Sequence, residues 1–233
     1  MTTQWRVQIP LLSGRSEPNH LAELSTQFLF GEWVECLEIK EEWWLVQRQE
    51  EKYPAWVRYS GLVALLPNEE PGHFQHTLIQ QSTGDFGLVW TSMGSKINGD
   101  IQTPATLAEW AKCWMNVPYL WGGKSVMGID CSGLAQLFWE SRGLILPRDA
   151  SQQAEFGELI SWLFDSIPGD LVFFDNDKGH IVHVGILLSK NQVLHAAGMV
   201  RIDKIDQQGI FRADEGRYTH ALRMIRRPGL LNI

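Results

Sequence analysis

The chain has 233 residues, 44% of them hydrophobic and 20% charged, which is the composition of a folded protein long enough for one large or two small domains. A formal net charge of −7 excludes the basic stripe that nucleic-acid binding needs and disfavours attraction to polyanionic surfaces. The three cysteines, Cys36, Cys113 and Cys131, form no C-x-x-C pair and are odd in number, so no disulfide framework is indicated and a reducing compartment fits best.

The first ten residues, Met1 to Pro10, lack a continuous apolar core followed by a small-residue cleavage site, and no run reaches the roughly 18 apolar residues of a membrane span. A cytoplasmic location without membrane association is therefore expected. From residue 5 to about 66, short alternating segments predict strands: Trp5–Ile9, Glu32–Lys40, Trp43–Gln47 and Ala55–Tyr59. Separated by polar turns, they read as a small antiparallel barrel. Ala22–Gln27 reads as a helical turn or loop. Pro67–Gly72 is a linker-like cluster, and Gly84, Gly87, Gly94 and Gly99 punctuate later apolar pieces. This sets a boundary near residue 100, dividing 1–100 from 101–233.

Thr103-Pro104 followed by Leu107, Trp110, Ala111 and Trp114 has the cap, first-turn proline and apolar spacing of a helix. A second helix is predicted from Cys131 to Arg142 with Gly143 as its stop. A third follows Pro147, with Asp149 or Ser151 as its cap. After the Pro168-Gly169 turn come strands at Asp170–Phe174, Ile181–Leu188, Gln192–Ala196 and Thr219–Ile225. Helices followed by antiparallel strands define an α+β domain. The eleven tryptophans are expected mainly in cores and domain interfaces.

The chemistry concentrates at Asp130-Cys131-Ser132-Gly133, where a cysteine opens a helical pattern carried on by Leu134, Leu137 and Phe138. Backbone N–H groups at a helix start favour thiolate over thiol, so a lowered pKa is expected for Cys131. His183 and His195 lie in short strand-like runs that could present both imidazoles beside the thiol. His183 suits the general base and His195 the group that fixes its tautomer, the layout of papain-type amide hydrolysis. His180 reads as a solvated loop residue, while His20, His73, His76 and His220 have no partner pattern. Cys36 and Cys113 fall in apolar patterns and read as buried thiols. Zinc binding would need paired ligands at short spacing, so neither a metal nor another cofactor is expected.

Tyr119–Gly123, Gly128–Leu134, Leu146–Gln152, Pro168–Phe174, His183–Ile186 and His195–Gly198 together closely resemble the NlpC/P60 cysteine peptidases, in that order, over residues 104 to 226. The N-terminal part resembles a bacterial SH3-like (SH3b) domain. Its Ala22–Glu32 and Tyr53–Val57 look like the version found in γ-D-glutamyl-L-diamino acid endopeptidases, with Ala55 where a glycine is usual. The resemblance implies a papain-like α+β catalytic domain, helices packed on an antiparallel sheet, preceded by a small SH3-like barrel.

It further implies Cys131 as nucleophile, His183 and His195 as base and orienting group, and the Tyr119 hydroxyl beside the Cys131 backbone N–H as oxyanion donors. Asp130, Ser132 and Trp121, with Glu23 and Tyr53 of the SH3b domain, would hold the free amine of an N-terminal L-Ala. Asp130 remains open as a mere helix cap. Arg148, Asp149 and Ser151 would adjoin the cleft, as substrate contacts or caps. The implied substrate is a murein tripeptide or tetrapeptide, L-Ala-γ-D-Glu-diamino acid, with meso-diaminopimelate or L-Lys as the diamino acid, cut during cell-wall peptide recycling. Remodelling of intact wall outside the cell, and peptide binding without catalysis, are the alternatives.

Overall fold

The computed structural model describes residues 4–64, 76–80, 86–90 and 106–229. The chain divides into two units, Met1–Thr103 with Leu120–Gly128 and Pro104–Tyr119 with Ile129–Ile233. The linker-like cluster at 67–72, Gly84, Gly94, Gly99, the boundary near 100 and Thr103-Pro104 lie outside the described residues.

In the first unit the strands are β1 (Gln4–Val7), β2 (Leu11–Arg15), β3 (Leu24–Leu29), β4 (Trp33–Lys40), β5 (Trp43–Gln47), β6 (Ala55–Arg58) and β7 (Leu62–Ala64). They form one antiparallel sheet in the order β3-β2-β6-β5-β4-β1-β7, with a SH3-like fold. Alternating residues of these strands, Val7, Leu12, Phe28, Val34, Val46, Ala55, Val57 and Leu62, make its core. The segment read as a helical turn or loop is largely β3: Thr26 and Phe28 are buried as it pairs with β2, a partner strand the sequence reading did not contain. A separate hairpin joins β8 (His76–Gln80) to β9 (Phe86–Trp90).

Leu120–Gly128 belongs to this first unit although it follows the first helix of the second. Lys124 and Ser125 form β10, paired with β11 (Gly128–Ile129). Lys124 is fully buried. Its backbone N–H donates to Gln27 Oε1 at 2.8 Å, and its ammonium donates to Glu51 at 3.0 Å. Arg48 completes the cluster, bonding Glu32 at 3.1 Å and Glu51 at 2.9 Å. Two cations thus face two carboxylates away from water. Gly122, at φ +75°, approaches so closely that a Cβ there would stand 2.4 Å from the Leu24 carbonyl oxygen.

The second unit begins with α1 (Leu107–Trp114), which Thr106 and Glu109 cap reciprocally, so the helix starts three residues after the proline proposed for its first turn. α2 (Cys131–Glu140) follows Asp130 and stops before Gly143. α3 (Ala150–Gln153) has Asp149, not Ser151, at its cap. The strands are β12 (Glu158–Ile160), β13 (Leu171–Asp175), β14 (Ile181–Ser189), β15 (Gln192–Ala197), β16 (Met199–Asp206), β17 (Gly209–Arg212) and β18 (Arg217–Arg227).

All pairs are antiparallel in the order β12-β18-β13-β14-β15-β16-β17, and β17 also pairs with β18. Six strands therefore close into a ring around Val172, Phe174, Leu187, Val193, Ile205, Ile210 and Ile225. The expected α+β layering holds only in part: the unit is mostly sheet, its helices are short, and closure removes the open edges that further helices would cover.

The ion cluster yields a stability prediction. Replacing Glu51 by Gln leaves the Lys124 ammonium buried with its main partner gone, a loss of about 3–5 kcal/mol in urea unfolding. The double substitution Lys124→Met/Glu51→Leu should recover most of that loss, because the Arg48–Glu32 pair remains.

Candidate active site

α2 starts at Cys131 because Asp130 has extended backbone and its carboxylate accepts the Gly133 N–H at 2.7 Å. That carboxylate is also gripped by Arg148, whose two terminal nitrogens donate at 3.1 and 2.5 Å. Ser132 Oγ accepts from Arg148 at 2.8 Å and lies 3.3 Å from Asp130. Gln153 from α3 donates to the Ser132 carbonyl at 3.1 Å, tying the first turn of α2 to the neighbouring loop. The nucleophile's turn is thus fixed by buried polar contacts that satisfy one another.

Cys131 is only 8% exposed. The backbone N–H groups of Val184 and Ser132 favour the thiolate at its sulfur, and α2 packs on β14. Burial nonetheless pushes the thiol up to about 12, with the Asp130 carboxylate adding to the rise, against those two N–H groups and Arg148. This overturns the lowered pKa expected from the helix start: water exclusion and the capping carboxylate outweigh the backbone donors.

His183 precedes Val184 on β14 and is buried. Desolvation first, then the neighbouring His195 and His220, hold its pKa well below 6.5. Its Nε2 lies 2.9 Å from His195 Nδ1, and His195 Nε2 lies 2.9 Å from Asp203 Oδ2. His195 is lowered as well, by burial, with Asp203 opposing. Both shifts favour a neutral thiol and a neutral imidazole over a preformed thiolate–imidazolium pair.

Strand register makes this alignment. His195 on β15 stands opposite Gly185 on β14 and Arg201 on β16, on the face that carries Val193, Leu187 and Ile205 into the ring. A Cβ at Gly185 would sit 2.4 Å from Val193, so only glycine leaves room for this close crossing. His220 from β18 stacks on His183 at 4.4 Å between ring centres and is lowered to about 4 by burial, then by His195.

Tyr119 is half-buried, and its backbone N–H donates to the Gly198 carbonyl. Burial, with the Asp130 carboxylate adding to it, raises its hydroxyl, which stays protonated and able to donate. Ser151 is exposed on α3. Of the other proposed substrate contacts, Glu23 is exposed, Tyr53 half-buried and Trp121 60% exposed, and all three belong to the first unit. Asp203, Arg201 and His220 were missed in the sequence, the first two because the Met199–Asp206 strand was not read there. The alternation Arg201-Ile-Asp203 just after the His195 run was the available signal.

A nucleophile-bearing helix start, a neutral imidazole on the adjacent strand and a second imidazole behind it define a cysteine-dependent hydrolase centre. The NlpC/P60 family model matches residues 116–216, and the bacterial dipeptidyl-peptidase Sh3 domain matches residues 14–62. The chain is 37% identical over 105 residues to the probable endopeptidase NlpC of Escherichia coli (strain K12), covering 44% of this chain and 68% of that one. It belongs to the NlpC/P60 family of cysteine peptidases. It is also similar to the γ-D-glutamyl-L-lysine dipeptidyl-peptidase of Bacillus subtilis (strain 168), 41% identical over 85 residues, 36% of this chain. The match spans 28% of that relative's length. A crystal structure of a NlpC/P60 family protein from Bacillus cereus shares the fold with a TM-score of 0.70 at 20% identity, over 97% of this chain and 99% of that one.

Two pH responses follow. Iodoacetamide alkylation of Cys131, located by mass spectrometry, should keep accelerating up to pH 10; a plateau near neutrality would instead reveal a preformed ion pair. Histidines whose folded pKa lies below 6.5 take up protons on unfolding, so their contribution is complete above about pH 6.5 and is lost as pH falls below it. The melting temperature should decline over that acidic range, and less steeply in His220→Gln.

Proposed function

We propose that the protein is a cysteine endopeptidase that hydrolyses the amide between the γ-carboxyl of D-Glu and the diamino acid in murein peptides with a free N-terminal L-Ala. The observation that carries this reading is the buried Cys131 with neutral His183 held by His195, in a chain similar to γ-D-glutamyl-L-lysine dipeptidyl-peptidases. As Cys131 attacks the γ-carbonyl, its proton passes to His183, since neither group is charged beforehand. The Cys131 backbone N–H and the Tyr119 hydroxyl donate to the oxyanion. His183 returns the proton to the leaving amine, freeing the diamino-acid fragment and leaving a thioester. Water, deprotonated by His183, then releases L-Ala-D-Glu.

The candidates for recognition of the substrate amine are Asp130 and Ser132 in the second unit and Trp121, Glu23 and Tyr53 in the first, with Ser151 as a further candidate. Asp130 enters as an acceptor already oriented by Arg148, and exposed Glu23 supplies further negative charge. An acylated N-terminus would forfeit the charge-assisted contacts of the substrate amine, at a cost of roughly 1–3 kcal/mol. A free L-Ala amine exists only after the peptide has been severed from glycan, so amine selectivity implies recycling rather than wall cutting. Free Cys36, Cys113 and Cys131 fit a reducing, cytoplasmic setting.

Digestion of L-Ala-γ-D-Glu-meso-diaminopimelate and its L-Lys counterpart, each beside an N-acetylated twin, tests this by mass spectrometry. The native protein should release L-Ala-D-Glu from the free peptides about 10–200 times faster than from the acetylated ones. Cys131→Ala should abolish release. Equal cleavage of both twins would favour wall remodelling, and no cleavage by native protein would favour peptide binding alone.

A further inference from the structure

We propose that Asp203 is a fourth, positioning member of the catalytic set, which fixes the tautomer of His195 and through it that of His183. The inference rests on Cys131 and His183 being nucleophile and base, and it goes beyond the substrate reading.

Asp203 is 8% exposed on β16, two residues from Arg201 and on the same face. Its Oδ2 lies 2.9 Å from His195 Nε2. Arg201 clamps it from the other side, with Nε donating to Oδ2 at 2.5 Å and Nη2 to Oδ1 at 2.9 Å. Arg201 is in turn bonded to Asp214, which also receives Arg212 at 2.6 Å. Burial opposes ionisation of Asp203, but the hydrogen bonds from His195 and Arg201 outweigh it and hold the carboxyl at about 2. At neutral pH Asp203 therefore only accepts hydrogen bonds.

The proton positions then follow in sequence. A carboxylate facing His195 Nε2 requires the proton on that nitrogen, so His195 Nδ1 is bare. A bare Nδ1 at 2.9 Å requires the proton on His183 Nε2. His183 Nδ1 is left as the lone pair for the Cys131 thiol. The opposite assignment would set two lone pairs against each other at the His195–Asp203 contact and place a proton on the nitrogen that must accept one. When the thiol proton arrives, it stays on His183 Nδ1. His195 accepts from the imidazolium through Nδ1 and keeps its own Nε2 proton, and Asp203 remains ionised. No proton travels down the row.

Other charged or titratable groups acting on the two rings are His220 from β18, Arg201 from β16 and Arg212 from β17, while α2, which carries Cys131, packs on β14. Among these described groups, Asp203 is the one carboxylate bonded to either ring.

The test uses full-length protein labelled with ¹⁵N-histidine, in native form, Asp203→Leu and Asp203→Asn. Native spectra should show protonated Nε2 and bare Nδ1 for both His183 and His195. In the variants the two tautomers should mix, Cys131 alkylation at pH 7.5 should slow at least about tenfold, and kcat should fall about 10²-fold or more with KM little changed. A native spectrum with the His183 proton on Nδ1 overturns the proposal. So do folded variants that keep native tautomers, alkylation and kcat. If native protein cleaves no murein peptide, the spectra and alkylation rates still decide the role of Asp203, and the substrate reading alone fails.

Discussion

The hydrogen bond between His183 and His195 is the contact on which the rest of the catalytic unit depends. It joins two buried neutral rings, and it exists only because β14, β15 and β16 pair in one register. A slip of one residue would turn both imidazoles out of the ring and put apolar neighbours in their place. The apolar residues that fill the remainder of the same face, Leu187, Val193 and Ile205, therefore set the site's alignment as much as the polar ones do. Closure of the sheet through β17 and β18 then brings Arg212 and His220 to the same end from strands distant in sequence.

Around that contact the unit handles charge in two separate ways. Near the sulfur, Asp130 and Arg148 neutralise one another, so the helix start is dry yet nearly uncharged. On the far side of the histidines, Asp203, Arg201, Asp214 and Arg212 alternate in sign. The thiol and its base lie between two balanced networks, in a stretch where burial governs both protonation states. A reactive group kept neutral until substrate arrives is protected from the oxidation and alkylation that exposed thiolates suffer.

Much of this was legible in the sequence. Cys131 could be read from its small and acidic neighbours at the head of an amphipathic pattern, and His183 and His195 from their place in alternating strands. The thiol's protonation state was not legible, because it is set by how deeply the folded protein buries the sulfur, and nothing next to Cys131 in the sequence announces that burial. Asp203 and His220 escaped for a related reason: an inward polar residue on a strand looks like a solvent-facing one until the sheet's closure defines its inside. The third helix was legible from the capping residues that follow Pro147, but the choice between Asp149 and Ser151 was not, because both have side chains able to cap; Asp149 takes that place. β3 was missed since its Ser25, Thr26 and Gln27 break the apolar alternation, although Thr26 and Gln27 are buried.

The placement of Leu120–Gly128 bears on how such a protein can be divided or recombined. The chain passes between units three times, after Thr103, Tyr119 and Gly128. The last crossing comes three residues before the nucleophile. Lys124 takes its partners, Gln27 and Glu51, from the SH3-like unit. A gene fragment cut at the apparent boundary would carry the catalytic strands together with a loop whose buried ammonium had lost every counter-charge named for it. In terms of modularity, the SH3-like unit is not an appendage that evolution or an engineer can exchange freely: part of its interior is encoded inside the peptidase motif itself.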